Sequence, residues 1–493
     1  MSVDKLKALL GGTVKAADIL PGVTPLPHQE RVRQRMKADI PGLLCYHGLG
    51  AGKTLTSHLV GEDTPGPKEV IVPASLRPNY QQSLEQYVSR PRDYNVKSYN
   101  AASATKGQPK TGLTIFDEAQ RMGRPEAEAS NLPDRVHGKQ LLLSGGPIRN
   151  EPSELVPILK AIAGDRDIPR SADAFDKRFV EREKTKPGLL SRIFLGRKPE
   201  VHERLKNQDQ LRALLQGRVD YQASVGDFPS TSEEHISVDM TPHQTALYRG
   251  LVDAYPGLSY KIRRNLPPLK REMANLNSFL SATRQVSNFP RAYDTSMPLL
   301  PGDDDVTSSP KLSRMVSEIK KKHAEDPDFR GLVYSNYLDA GIVPMARRLT
   351  TMGISNALFT GELNDAERQR VVNNYNHGKT KVLLVSSSGA EGLDLKGTRL
   401  IQLMDPHWNN SRLDQVIGRG VRMGSHAHLP KEKQHVLVQR FFAVPQKSLL
   451  EKLNLGSPDP GTDKYLYSMS TQKQKLVDQL LSVLKDVGSE PVE

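Results

Sequence analysis

The sequence predicts an α/β protein of two tandem lobes, each a parallel sheet flanked by helices, with a helical insertion between them and a C-terminal helix. Three observations carry this. First, short Leu-, Val- and Ile-rich runs recur and stop abruptly at Gly, Ser, Asp or Pro: GLLCYHGLG (42–50), EVIVPAS (69–75), GLTIFDEA (112–119), KQLLLSGGP (139–147), GLVYSN (331–336), KVLLVSSSG (381–389) and RLIQLMDP (399–406). Such runs suit strands buried on both faces, and the polar, helix-compatible stretches between them imply parallel pairing. Second, the runs fall into two groups, 42–147 and 331–440, separated by a long stretch of different texture. Third, no fixed-period repeat or long low-complexity tract is present, which removes solenoids and propellers.

In chain order we expect an N-terminal segment (1–24), a first lobe (25–160) and a helical insertion with the end of that lobe (161–293). A linker (294–310), a second lobe (311–455) and a C-terminal helix (456–493) follow. The linker is placed by the Pro, Asp and Ser density of DTSMPLLPGDDDVTSSP. The last helix is placed by Leu476, Leu480 and Leu484 at spacing four, an amphipathic stripe suited to packing on a lobe.

Composition narrows the function. With 493 residues, 37% hydrophobic and 25% charged, the chain holds two to four domains and is neither a membrane-spanning, a fibrous nor a mainly disordered protein. The 69 Lys and Arg against 56 Asp and Glu give a net charge of +13, which favours a polyanionic partner, nucleic acid first. The charge is spread as on a folded surface, apart from a basic run at 177–198 and a group at Lys261, Arg263, Arg264, Lys270 and Arg271. Cys45 is the only cysteine, so an intrachain disulfide and a Cys-based zinc site are excluded, and a reducing interior without a disulfide-linked partner is expected. No stretch approaches the roughly 18 apolar residues of a membrane span, and the N-terminus lacks a cleavage site; a soluble, intracellular protein without a membrane role is expected.

The chemistry concentrates in HGLGAGKT (47–54), between an expected strand and an expected helix. Gly48, Gly50, Ala51 and Gly52 form a tight turn whose N–H groups meet phosphate oxygens; Lys53 reaches the β and γ phosphates, and Thr54 offers its hydroxyl to Mg²⁺. The strict pattern has Gly where this chain has His47. Asp117 and Glu118 end another strand at the edge where ligands bind a doubly wound sheet. Asp117 is suited to hold Mg²⁺ and Glu118 to orient or deprotonate the attacking water. Upstream, Gln29 is a candidate reader of adenine, because an amide pairs with both donor and acceptor edges. Ser144 and Gly145 end a further strand and are candidates for linking the nucleotide to the second lobe.

In the second group, QVIGRGVR (415–422) sets Arg419 and Arg422 three residues apart, one helical turn, so both guanidiniums are expected on one face. Arginines inserted against a triphosphate stabilise developing charge. Gly389, Gly392 and Asp394 lie on the loop after a strand, where Asp394 can hold a ribose hydroxyl. His426 and His428 lack the Cys or acid cluster of a metal site.

Taken in order, LPHQ (26–29), GAGKT, VPASL (72–76), DEAQ (117–120), LLLSGGPIRN (141–150), SSSGAEGLDL (386–395), DPHWN (405–409) and QVIGRGVR resemble the motor motifs of superfamily 2 helicases, specifically the Swi/Snf-like branch. TRQVSNFP (283–290) and SPKLSRMVSEI (309–319) add to it. Residues 405–442 and 462–486 look like the corresponding segments of the nucleoside triphosphate phosphohydrolase I type of poxviruses and other large DNA viruses. The likeness runs from about residue 24 to 486. It implies two RecA-like lobes and use of ATP and Mg²⁺. It assigns Lys53 and Thr54 to the triphosphate and metal, Asp117 and Glu118 to metal and water, and Arg419 with Arg422 to finger roles. Pro73, Ser75, Ser335, Thr360 and Ser387 fall where the family contacts a nucleic-acid strand. Gln120 stands where the family usually has His, and SGGP departs from the usual Thr or Ala pattern, so coupling of hydrolysis to movement is open at both.

The resemblance implies DNA-dependent ATP hydrolysis with translocation on duplex DNA, remodelling DNA or a DNA-bound complex. An RNA polymerase is one such partner, and a host cytoplasm, nucleoid or virion the location. Two other readings stay open. A strand-separating or branch-remodelling helicase needs a wedge that no segment reveals, and 15 Tyr, 11 Phe and the single Trp408 offer few stacking platforms. A nucleotide-switched scaffold without motor activity needs none of Lys53, Glu118, Arg419 or Arg422.

Overall fold

A computed structural model describes residues 24–105, 111–185, 200–267, 272–293, 309–387, 393–408, 410–453 and 459–490. Two six-stranded, all-parallel sheets organise the chain. The first has the order β3-β2-β4-β5-β1-β8, formed by β1 (Gly42–His47), β2 (Lys68–Val72), β3 (Tyr94–Ser98), β4 (Leu113–Asp117), β5 (Lys139–Ser144) and β8 (Val219–Gln222). The second runs β11-β12-β10-β13-β14-β9, formed by β9 (Ser230–Asp239), β10 (Gly331–Ser335), β11 (Asn356–Phe359), β12 (Val382–Ser386), β13 (Leu400–Leu403) and β14 (His435–Val444). An antiparallel hairpin of β6 (Val180–Thr185) and β7 (Glu200–Leu205) stands apart from both. The helices used below are α1 (Pro27–Lys37), α2 (Lys53–Asp63), α3 (Gln208–Leu215), α4 (Pro242–Asp253), α5 (Pro256–Arg264), α6 (Met273–Asn288), α7 (Pro310–Glu325), α8 (Asn410–Gly420) and α9 (Gly461–Ser489).

The central strands are the apolar runs of the sequence. β1, β2, β4, β10, β12 and β13 are buried at every position, as expected of strands covered on both faces by helices.

The chain changes sheets earlier than its composition suggests. It leaves the first sheet after β8 and enters the second at β9, so the crossing falls at 223–229, ahead of the stretch expected as a linker. Of that stretch, 294–308 lies outside the described residues. β9 escapes sequence reading because STSEEHISVD has no apolar run and is mostly exposed. Its ten-residue pairing with β14 is supplemented by Arg440 to Glu233 at 2.8 Å and Gln439 to Glu234 at 3.0 Å. A charged edge strand of this kind resists pairing with a second molecule. The segment expected as insertion is therefore divided between the lobes: α3 precedes β8 in the first sheet's lobe, while α4, α5 and α6 follow β9.

α9 touches both lobes. Tyr465, Leu466 and Met469 join a cluster with Tyr248, Leu258 and Phe279 of α4, α5 and α6. Leu476, Leu480 and Leu484, the expected stripe, enter the core of the first lobe beside Leu44, Phe116 and Val219. At about 1.5 Å per residue its 29 residues span about 43 Å. Among the described residues no helix is long and apolar enough to cross a membrane.

Candidate nucleotide site

The phosphate loop connects β1 to α2, and Gly52, at φ 71°, is the residue from which α2 starts. Gly50 has φ 77°, a conformation that L side chains rarely adopt, so the loop's curvature needs glycine at both. The free N–H groups of the first turn of α2 then face the space over the loop, a ready anion site. Lys53 Nζ donates back to the carbonyls of His47 (3.1 Å) and Gly48 (3.2 Å), and burial lowers its pKa against the opposing fields of Glu118 and Asp117. Thr54 follows it on the same turn.

Gln29 and His28 hold this loop from α1. Gln29 Nε2 lies 3.4 and 3.3 Å from the carbonyls of Ala51 and Gly52, its Oε1 accepts from Leu26 N at 2.8 Å, and His28 Nε2 pairs with Ala51 O at 2.7 Å. Gln29, expected as a base reader, thus clasps the loop in this structure.

β4 delivers the acids. Burial, then the neighbouring Glu118, pushes the Asp117 carboxyl up to about 6, although Lys53 and the Glu118 N–H (3.0 Å) oppose the rise. Two adjacent carboxylates, one of them buried, next to a lysine and the Thr54 turn, form a donor set that fits a hard divalent cation. Glu118 sits at φ 54°, a left-handed backbone unusual for a non-glycine residue and frequent where geometry serves function. Gln120 Nε2 donates to Glu118 Oε2, Ser144 Oγ donates to Gln120 Oε1 at 2.6 Å, and Gly146 N donates to Ser144 Oγ at 3.1 Å. The two departures from the helicase pattern therefore touch each other. A methyl group built on Gly145 would lie 3.6 Å from Lys53 Nζ, so the end of β5 borders the same pocket.

The second lobe reaches the loop through the turn after α8. A methyl group built on Gly50 would come within 3.0 Å of Met423 Sδ, and one on Gly226 within 2.2 Å. The crossing segment is threaded between: Gly48 N donates to Gln222 O (2.8 Å), Val225 N to Leu49 O (3.0 Å) and Gly424 N to Asp227 O (3.0 Å). The expected shared helical face of Arg419 and Arg422 is corrected here. α8 ends at Gly420, and Arg422 lies beyond it, because its N–H leaves the helix to bond Ser425 Oγ at 3.2 Å. Arg422 Nη1 pairs with Asp394 Oδ1 at 3.1 Å, so Asp394 meets an arginine of the same lobe. Gly389 and Gly392 lie outside the described residues.

The residues expected on a nucleic-acid strand lie at or just after the carboxyl ends of strands and differ in exposure. Ser75 is exposed and Pro73 buried after β2; Thr360 follows β11 and Ser387 follows β12. Ser335 is corrected: it is 0% exposed, and its hydroxyl donates to Asp405 Oδ1 at 2.5 Å. Asp405 also accepts from Asn336 N (3.1 Å) and Asn288 Nδ2 (3.0 Å). Asn288 Oδ1 in turn accepts from Lys311 Nζ at 2.8 Å, which also meets Asp463 Oδ2 of α9 at 2.8 Å.

The basic stretches divide as well. In the described part of 177–198, Arg178 pairs with Asp167 and Arg182 with Glu203 and Asp176. At the other, Arg264 stacks over Tyr260 and Arg263 lies 3.6 Å from Glu451; Lys270 and Arg271 are outside the described residues. Sequence reasoning missed Asp220, Arg31 and Met423. The signal for the first was His47 itself: an imidazole in place of a glycine behind a phosphate loop needs a partner.

The SNF2-related domain matches residues 92–292, and the helicase conserved C-terminal domain matches residues 311–424. A protein of Acanthamoeba polyphaga mimivirus named as an ATP-dependent RNA helicase is 27% identical, over 94% of this chain and 97% of its own. The termination factor NPH-I homolog of African swine fever virus is 24% identical, over 91% of this chain and 76% of its own. Among solved structures, the Sulfolobus solfataricus SWI2/SNF2 ATPase core in complex with double-stranded DNA aligns over 95% of this chain and 98% of that one, with 19% identity and a TM-score of 0.35.

Proposed function

The chain belongs to the superfamily 2 helicase-type ATPases of the Swi/Snf-like branch, of the nucleoside triphosphate phosphohydrolase I type, and on that premise we propose that it couples ATP hydrolysis to movement along DNA, duplex DNA in particular. The observation that carries the reading is the meeting of Gly50 and Met423, which joins the phosphate loop of one lobe to the arginine turn of the other.

In this reading Lys53 leaves the carbonyls of His47 and Gly48 to meet the phosphates, while the α2 N-terminus supplies N–H donors. Thr54 and Asp117 would hold Mg²⁺, which would supply neutralisation of phosphate charge. Glu118 orients and deprotonates the water, and Arg419 and Arg422 stabilise charge from the opposite side. Gln29 braces the loop and contacts the base, and Asp394 releases Arg422 as the cleft closes and meets the ribose. The Glu118–Gln120–Ser144 chain reports phosphate loss to the end of β5, with Gly145 giving it room. Pro73, Ser75, Thr360 and Ser387 hold the strand, and Ser335 acts through Asp405. Closing and opening the cleft then shifts one grip relative to the other.

The termination factor among the relatives supports a role in transcription, with a multisubunit RNA polymerase or another DNA-bound complex as partner and a place inside the cell where that complex works. Co-elution of the purified protein with the polymerase checks this part.

The deciding experiment is the ATPase rate with no polymer, single-stranded DNA, duplex DNA and RNA at two salt concentrations. The expected result is strongest stimulation by duplex DNA, weakening steeply with salt as phosphate contacts are lost. Preferential stimulation by RNA would move the substrate to the class named in the mimivirus relative. Separation of a tailed duplex would favour the helicase reading, and biological activity unchanged in Lys53→Ala would favour the scaffold.

A further inference from the structure

A cluster behind the phosphate loop has no part in the scheme above. Asp220, on β8, is fully buried. His47 Nε2 lies 2.8 Å from its Oδ1, Arg31 Nε 2.6 Å from its Oδ2, Arg31 Nη2 3.0 Å from its Oδ1 and Arg35 Nη1 3.4 Å from its Oδ2. With the carboxylate accepting, the imidazole proton sits on Nε2. That leaves His47 Nδ1 buried and unbonded, so the Asp220 bond is what fixes the ring.

His47 is also the residue whose main-chain carbonyl receives Lys53 Nζ, and the glycines begin immediately after it. A glycine at this position gives the turn no side chain by which it can be held. An imidazole does, and a buried carboxylate neutralised by two guanidiniums is a rigid point of attachment. Loops ordered before binding spare the ligand the entropy of ordering them.

We propose that Asp220 is a positioning residue for the triphosphate: through His47 it fixes the start of the phosphate loop, so that the N–H groups of the turn and the Lys53 amine are placed to receive phosphates. The inference rests on the nucleotide reading of the site. It adds a role for a strand far along the chain, because Asp220 lies 173 residues after His47. β8 is also where the end of α9 is seated. A methyl group built on Gly488 would come 2.8 Å from Tyr221 N, and Arg35 Nη2 donates to Glu490 O at 3.2 Å. The carboxylate that steadies the loop is thus itself steadied by the C-terminal helix.

The test uses the full chain and compares Asp220→Ala, Asp220→Asn, His47→Ala, the His47→Ala/Asp220→Ala pair and Lys53→Ala. Equilibrium binding of a fluorescent ATP analogue, steady-state ATPase and thermal melting are measured for each. We expect Asp220→Ala to weaken binding and raise KM about ten- to hundredfold, with kcat within about threefold, as a loop that must be ordered by its ligand would. Asp220→Asn keeps an acceptor for His47 Nε2 and recovers most of the affinity, and the double variant binds no worse than Asp220→Ala alone. Wild-type affinity in a folded Asp220→Ala protein, or additive losses in the double variant, overturns the inference. Should Asp220→Ala not fold, unchanged KM in both Asp220→Asn and His47→Ala overturns it. Lys53→Ala separates the two levels. If it alone loses nucleotide, only the Asp220 role fails; if it too binds like wild type, the nucleotide site itself is misread.

Discussion

Each lobe buries a carboxylate beneath the carboxyl end of its sheet, and the two are handled in opposite ways. In the first, Asp220 meets two cations, Arg31 and Arg35, and the N–H of the His47 ring, whose burial holds its pKa below the ordinary imidazole value. Burial alone would raise its pKa, but the hydrogen bonds from His47 and Arg31 outweigh it and hold the group below the ordinary carboxylate range. In the second, the hydrogen bonds on Asp405 come from neutral donors, Ser335, Asn336 and Asn288, and the charge pairing is displaced to Lys311 and Asp463. Ion pairs cluster behind the phosphate loop. Hydrogen bonds, which are short-ranged and directional, set the edge that would follow a strand. Charge is expensive to rearrange in a dry interior and amide dipoles are cheaper, so the direct bonds on Asp220 resist rearrangement more than those on Asp405.

Three experiments break or sharpen that contrast. The largest effect asks whether the second lobe contributes chemistry at all. Arg422→Ala is expected to cut kcat by about 10³-fold or more, the range of an inserted arginine, with unaltered melting; a rate near wild type would confine catalysis to the first lobe. Next, Lys311→Met leaves Asp463 buried without its cation and is expected to lower stability by about 3–5 kcal/mol, read from urea unfolding. Lys311→Met combined with Asp463→Leu should return part of this loss, because the uncompensated charge is gone.

The smallest effect on stability concerns Asp117, and its sign runs against the usual carboxylate. A folded-state pKa raised to about 6 means that the group favours folding fully below its unfolded value of 3.8, and that this contribution is lost as pH rises through 6. Asp117→Asn should therefore stabilise the nucleotide-free protein at pH 7–8 by about 2–3 kcal/mol, a two-unit shift at 1.36 kcal/mol each, and by nothing below pH 4. The same substitution should abolish hydrolysis, and wild-type activity should fall as pH drops through 6. Equal stability of the two proteins at pH 8 would show that the buried charge carries no cost.

The parts legible in the sequence are those where one residue type has one physical use. Doubly buried strands need unbroken apolar runs, so β1, β2, β4, β10, β12 and β13 could be read directly. The loop around Lys53 and the acids after β4 were legible for the same reason. β9 was hidden because an edge strand half in water is stabilised by backbone pairing that leaves no pattern in side-chain hydropathy. Arg422 was misplaced because spacing alone does not say where a helix ends; the Ser425 hydroxyl decides it. Ser335 was expected as a contact from the family resemblance alone, and a matching motif position carries no information on burial. Asp220 was invisible because an isolated acid in VDYQ carries no local mark, its meaning lying in residues at the other end of the lobe.

The polypeptide passes between the sheets at 223–229, and α9 ties them again at a second place. A body fastened to another at two separated points keeps one easy freedom, a swing about the line that joins them. Two such fastenings resist separation of the lobes, and in the proposed cycle the cleft would open and close about the line between them.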